Sequence, residues 1–185
     1  MSLKNFYEIV PASYGNTAKM LHWGMALLIL SLLAVIEVRG YLPKGAFRNN
    51  LRAWHIQSGL CVLLLVGIRI VWRSINSVPP IYPPLPRVHQ MAANLAHGIL
   101  YILMLIIPII GILSIQSRGD PLSFFGYPFP ILLGEDSGLP YAELIRNIHE
   151  YLGNIIIGLL VIHVASAIFH HMIRRDNVLK RMRPW

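Results

Sequence analysis

The sequence predicts an all-α membrane protein, a bundle of four transmembrane helices. Three observations predict it. The chain of 185 residues is 55% hydrophobic and only 13% charged, with a mean hydropathy of +0.56 that is too apolar for an ordinary soluble domain. Segments 20–36, 53–68, 91–117 and 151–173 contain no Asp, Glu, Lys or Arg, and a membrane span needs roughly 20 apolar residues, with a range of about 17–25. Four histidines, His22, His55, His149 and His163, fall inside or at the edge of those segments, where an ionisable group is costly and therefore a functional candidate.

Taken in order, the helices are expected at about 15–38, 52–73, 90–116 and 147–174, one integral-membrane unit covering 1–185. Before the first lies a polar lead-in, in which Ser13, Asn16 or Thr17 could cap the helix. The first span lacks a small-residue cleavage site and reads as an anchor rather than a cleaved leader. The second is short, but Arg69 and Arg73 can extend their heads to the interface past Trp72. Between spans two and three, VPPIYPPLP prevents helix and forms a stiff strap. The longest connection, 116–147, carries FFGYPFP and several acids, and a loop of that length usually covers a site or packs on helix ends. Trp23, Trp54, Trp72 and Tyr101 sit near span ends, as interfacial aromatics do. The single cysteine, Cys61, reads as a small packed apolar residue.

The net charge of +8 is explained by the positive-inside tendency rather than by nucleic acid. With four spans both termini share one side. Lys4, Lys19, Arg69, Arg73, Arg87, Arg174, Arg175, Lys180, Arg181 and Arg183 lie there against only Glu8 and Asp176, whereas the other side balances its arginines and lysine with acids. Cytoplasmic termini and a multi-pass membrane protein follow as the expectation.

Direction of travel sorts the histidines. His22 enters from the cytoplasmic side in helix 1, and His55 starts helix 2 on the external side. His149 starts helix 4 outside, and His163 follows 14 residues later, roughly 21 Å deeper and only about 40° round the helix. His55 can meet His149, and His22 can meet His163. The second pairing requires helix 1 to begin before Lys19 or helix 4 to project from the membrane. Two ligands per depth are too few for a structural zinc but suffice for a haem iron, which needs only two axial partners. The absence of C-x-x-C-H makes any haem b-type and non-covalent. Gly59 and Gly153, four residues after His55 and His149, leave room on the ligand face. The expected cofactors are therefore two haem b groups.

The stretches LHWGMALL, IEVRG, WHIQSG, LAHGILYILMLIIPIIG, SRGDP, IHEYLG and VIHVASAIFHH resemble the bacterial cytochrome b-561 family of small di-haem membrane proteins, over about residues 14–182. The resemblance implies a protein of the bacterial inner membrane with bis-histidine haems on His22, His55, His149 and His163, and an activity in which superoxide is oxidised at the periplasmic side and electrons pass to ubiquinone. His97 and His170 match family histidines by position. They are candidate quinone hydrogen-bond or proton partners, since histidine titrates near neutral pH.

The first external loop is basic. Arg39, Lys44, Arg48 and Arg52 face only Glu37, and such a mouth would steer a small anion such as superoxide. A rival reading is an electron-relay subunit that links a periplasmic dehydrogenase or other redox partner to the quinone pool. A third is a haem-free metal or proton transporter. The expected partners are membrane lipid, ubiquinone, and superoxide or a periplasmic electron donor.

Overall fold

The computed structural model describes residues 13–133 and 140–184. Lys4, Glu8, Glu135 and Asp136, which entered the charge balance, lie outside them. Among the described residues, four helices are long and apolar enough to cross a membrane. They are α1 (Asn16–Gly40), α2 (Ala46–Ile75), α3 (Arg87–Gln116) and α4 (Ala142–Phe169). A π turn, His170–Arg174, continues α4, and a short α5 (Val178–Met182) follows. The chain crosses back and forth, so Ser13 and the tail share one end of the bundle, called here the terminal end. The α1–α2 and α3–α4 connections form the loop end.

Several helices start earlier than hydropathy predicts. α2 begins at Ala46 rather than 52, and α4 at Ala142 rather than 147, because their first turns are polar and lie outside the apolar stretch. α1 begins at Asn16, before Lys19, with Gly15 at its N-cap and no side-chain cap. Ser13, Asn16 and Thr17 therefore do not cap it. The backbone closes the first turn instead, Lys19 N–H donating to Gly15 C=O at 3.2 Å.

α1 packs along α2, α3 packs along α4, and α2 joins the two pairs through α3. Among the described residues, α4 has no extensive backbone contact with α1 or α2. That separation leaves space inside the bundle, and all four membrane histidines project across it. Among the described residues, two small clusters of buried apolar side chains tie neighbouring helices together. One, Leu60 with Ile112, Ile115 and Leu122, ties α2 to α3 at the loop end; the other, Leu100, Leu103 and Ile156, ties α3 to α4. Leu27, Ile70, Met91, Val161 and many other large apolar residues are exposed, as lipid-facing side chains must be. Lipid offers helices no hydrophobic drive to associate, so contacts and hydrogen bonds hold the bundle.

Polar clamps close both ends. At the loop end, β1 (Ser123–Phe124) and β2 (Tyr127–Pro128) form an antiparallel hairpin. Phe125 and Gly126 turn it with φ of 48° and 89°, the double positive φ of a type I′ turn. Gln57 of α2 holds the turn with both ends of its amide, Nε2 donating to Ser123 C=O at 2.9 Å and Oε1 accepting from Phe125 N–H at 3.0 Å. Gln116 grips Pro130 C=O and Leu132 N–H in the same manner. The described part of this loop thus packs on the helix ends.

At the terminal end the tail laces three segments together. Asn177 exchanges hydrogen bonds with Tyr82 in the proline strap, at 2.7 and 3.1 Å. Arg181 donates to Pro79 C=O in the same strap. Its own carbonyl accepts from Tyr14 N–H at 3.1 Å, and Trp23 Nε1 donates to Met182 C=O at 2.8 Å. Burial pulls the Arg181 guanidinium below its ordinary pKa, an effect that neighbouring Tyr14 and Asp176 oppose.

Candidate functional site

The histidines meet in the pairs that helix direction predicts. At the loop end the His55 and His149 ring centres are 6.2 Å apart with planes crossed at 88°; at the terminal end those of His22 and His163 are 6.3 Å apart, crossed at 70°. The early start of α1 and the continuation of α4 together bring the second pair level. An imidazole nitrogen binds a metal at about 2.0–2.1 Å, and the ring centre lies about 1.1 Å behind that nitrogen, so two imidazoles facing one ion have centres about 6.3 Å apart. Both pairs have that spacing.

The loop-end pair is oriented for such a role. His55 Nδ1 lies 3.2 Å from Leu32 C=O and His149 Nδ1 lies 3.1 Å from Ile107 C=O. A carbonyl can only accept, so Nδ1 carries the proton and Nε2 keeps its lone pair for a metal. Gly111, one turn beyond Ile107, makes the second contact possible. A Cβ there would stand 3.0 Å from His149 Cε1. Pro108 breaks the hydrogen-bond ladder of α3 in the same turn.

Between His55 and His149 opens a cavity of about 960 Å³, lined by Leu32, Leu103, Ile107, Ile156 and other apolar side chains. It is at the upper end of the range for cofactor sites, about 300–1,000 Å³. Gly59 and Gly153 both line it, and a Cβ at either would meet nothing within 4 Å, so they widen it as their spacing from the histidines predicts. Arg39, Arg52, Arg118 and Arg146 stand at its polar mouth with Glu37, Glu143 and Glu150. Among the described residues no cluster of three or more His, Cys, Asp or Glu could hold a metal ion. Two imidazoles in an apolar cavity, with cations at its mouth, fit a haem iron and its propionates and do not fit a bare tetrahedral metal.

The four basic residues of the first connection divide. Arg39 and Arg52 line the cavity, whereas Lys44 and Arg48 do not. Arg52 is paired with Asp120 at 2.8 Å, a contact between the two loop-end connections that one-dimensional charge counting cannot see. Among the described residues Arg39 Nε and Arg48 Nε are both buried without a hydrogen-bond partner, but only Arg39 also lines the cavity.

At the terminal end His97 joins the pair, its ring centre 5.7 Å from that of His163. His170 does not. The π turn ends at Arg175, whose φ is 54°, and the chain reverses so that buried Asp176 lies 2.5 Å from His170 Nδ1. Sequence reasoning missed Arg69 altogether as a site residue. It is one of several basic residues at the span ends, yet its guanidinium turns inward to His22, 3.3 Å from Nδ1. Arg69, Arg73 and Lys19 line a second cavity of about 510 Å³ between α1, α2 and Tyr101.

Residues 13–185 match the family described as prokaryotic cytochrome b561. Cytochrome b561 homolog 1 of Escherichia coli (strain K12) is 36% identical over 172 residues, 92% of this chain and 97% of that protein. A Yersinia pestis protein named "Probable superoxide oxidase CybB" is 30% identical over 165 residues, 89% of this chain and 92% of its own. Cytochrome b561 homolog 2 of Escherichia coli (strain K12) is 31% identical over 182 residues, 93% and 92% respectively.

Proposed function

The chain belongs to the prokaryotic cytochrome b561 family of membrane electron carriers, and we propose that it is a superoxide:ubiquinone oxidoreductase with two b-type haems. His55 and His149 are the proposed axial ligands at the loop end, which we place in the periplasm. His22 and His163 are those at the terminal end, in the cytoplasm. The observation that carries the reading is the spacing of 6.2 and 6.3 Å in two histidine pairs set at opposite ends of one bundle. When bound between such a pair, haem supplies one-electron acceptance and donation without an open coordination site.

The reaction balances simply. Two superoxide anions lose one electron each and leave as dioxygen, and one ubiquinone takes both electrons and two protons. This chain's residues then have distinct tasks. The mouth arginines raise the local concentration of a small anion, Arg39 above all because it lines the cavity and is not paired with a carboxylate as Arg52 is. The apolar cavity wall excludes water. His97, beside His163, is placed to pass a proton to quinone. Asp176 orients His170 through Nδ1 and leaves its Nε2 to exchange protons. The relative named a probable superoxide oxidase supports superoxide as the donor.

An electron-relay role remains the second reading. It is favoured by Glu37, Glu143 and Glu150 beside the arginines, a mixed rim that suits a docking protein as well as an anion. Stopped-flow mixing of the purified oxidised protein with superoxide separates the two. Fast haem reduction, followed by reoxidation when ubiquinone is present, is the expected result. Haem that superoxide leaves oxidised would exclude superoxide oxidation and leave the relay.

A further inference from the structure

The two histidine pairs differ in what stands behind them. At the loop end both Nδ1–H groups point at main-chain carbonyls, Leu32 and Ile107. An acceptor there draws on the proton and makes the imidazole a more basic ligand, which favours the oxidised metal. At the terminal end, His22 Nδ1 faces Arg69 Nη2 at 3.3 Å. A guanidinium has five N–H donors, no acceptor, and a charge it does not lose.

Arg69 is also fixed. Its Nε donates to Tyr101 Oη at 3.0 Å and its Nη1 to Ala18 C=O at 3.2 Å. Three of its nitrogens thus reach α3, the backbone of α1, and His22. Arg73 stacks over the same Tyr101 ring, 5.6 Å from its centre. The superoxide and proton steps proposed above do not use this partly buried cation.

We propose that Arg69 is a positioning residue that raises the reduction potential of the His22–His163 haem above that of the His55–His149 haem, so that electrons run from the loop end to the terminal end. The proposal rests on the bis-histidine reading of both pairs. A fixed positive charge beside an iron site favours the form with one positive charge fewer, the ferrous one, and in a weakly polarisable interior the effect is large. A donor at Nδ1 pulls the other way, toward a deprotonated and more basic ring, and the fixed charge outweighs it. Tyr101 and Ala18 hold the charge where it acts.

The test is a spectroelectrochemical titration of the haem-loaded full chain. The wild type should show two one-electron waves, and His149→Ala should remove the lower one. In Arg69→Met the upper wave should fall by a tenfold or greater change in its reduction equilibrium, about 59 mV or more, while the lower wave stays. Tyr101→Phe, which frees one anchor, should lower the upper wave by less. An upper wave that does not move in Arg69→Met would overturn the proposal. So would one that rises, because Arg69 would then be stabilising a deprotonated imidazole at His22. Should Arg69→Met lose haem, an unshifted upper wave in Tyr101→Phe decides against the proposal. A wild type with a single haem would instead overturn the two-haem reading, before any variant is made.

Discussion

Gly111 and His149 are in such close contact that a Cβ on the glycine would stand 3.0 Å from the imidazole Cε1, and the ring would have to give by a few tenths of an ångström. The same approach lets His149 reach Ile107 C=O at 3.1 Å. Gly111→Ala should therefore push the ring off its carbonyl and weaken the loop-end haem, while Gly111→Val should empty that site. The terminal-end haem should remain in both. Haem content by pyridine haemochrome, with Gly158→Ala as a control at a site where a Cβ meets nothing within 4 Å, checks this. Full loop-end haem in Gly111→Val would refute it.

Each histidine pair should act as a unit. His55→Ala and His149→Ala should each abolish one haem, and the double variant should lose no more than either single one, because one remaining ligand does not complete six-coordination. His22→Ala and His163→Ala should behave likewise for the other haem. His97→Ala should keep both, since His97 is 5.7 Å from His163, short of the spacing of two imidazoles opposed across one ion. Loss of the terminal-end haem in His97→Ala would transfer the ligand role to that residue.

Much of the bundle was legible in the sequence because lipid enforces its own grammar. A span must be long, apolar and internally hydrogen-bonded, so four segments without charges could hardly fold otherwise. The pairing of His22 with His163 and of His55 with His149 followed from chain direction and helical rise, which depend on no side-chain detail. Legibility ended where an interaction needed two segments at once. Arg52 and Asp120 belong to different connections, so charge counting took the arginine as free although it is paired at 2.8 Å. Arg69 looked like any basic residue at a span end, and only the packing of α2 on α1 shows that its fork turns inward. His170 stands seven residues after His163, close to the same face of a regular helix, but the chain reversal at Arg175 delivers Asp176 to it, and hydropathy carries no trace of that turn.

The mouth arginines should differ in kinetic weight. Arg39→Gln should slow haem reduction by superoxide more than Arg52→Gln, since Arg52 already spends its charge on Asp120, and Arg48→Gln, outside the cavity lining, should matter least. The effect of Arg39 should shrink as salt rises, because the Debye length falls from about 10 Å at 0.1 M to about 3 Å at 1 M. Second-order rate constants at several ionic strengths give the comparison. A wild-type rate independent of salt would remove steering from the mechanism.

The tail should be held by one buried carboxylate. The Asp176 side chain is 1% exposed and His170 only 15%. Its Oδ2 lies 2.5 Å from His170 Nδ1 and 3.5 Å from Arg174 Nε, while Oδ1 accepts from Val178 N–H at 3.1 Å. Asp176→Asn keeps the shape and the bond to Val178 but removes the charge, and should cost about 1–3 kcal/mol, the usual loss for a buried polar group left short of a partner. Asp176→Ala also strips His170 and Arg174 of their common acceptor and should cost about 3–5 kcal/mol, as breaking a buried pair does. Because the following residues grip the proline strap, Tyr14 and Trp23, the damage should spread across the terminal end. Trypsin should cut near Arg174 and Arg175 in Asp176→Ala well before it cuts the wild type, and the melting temperature should fall in the order wild type, Asn, Ala. The loop-end haem spectrum should not change. Equal melting temperatures and equal proteolysis in all three proteins would show that the carboxylate contributes nothing to the clasp.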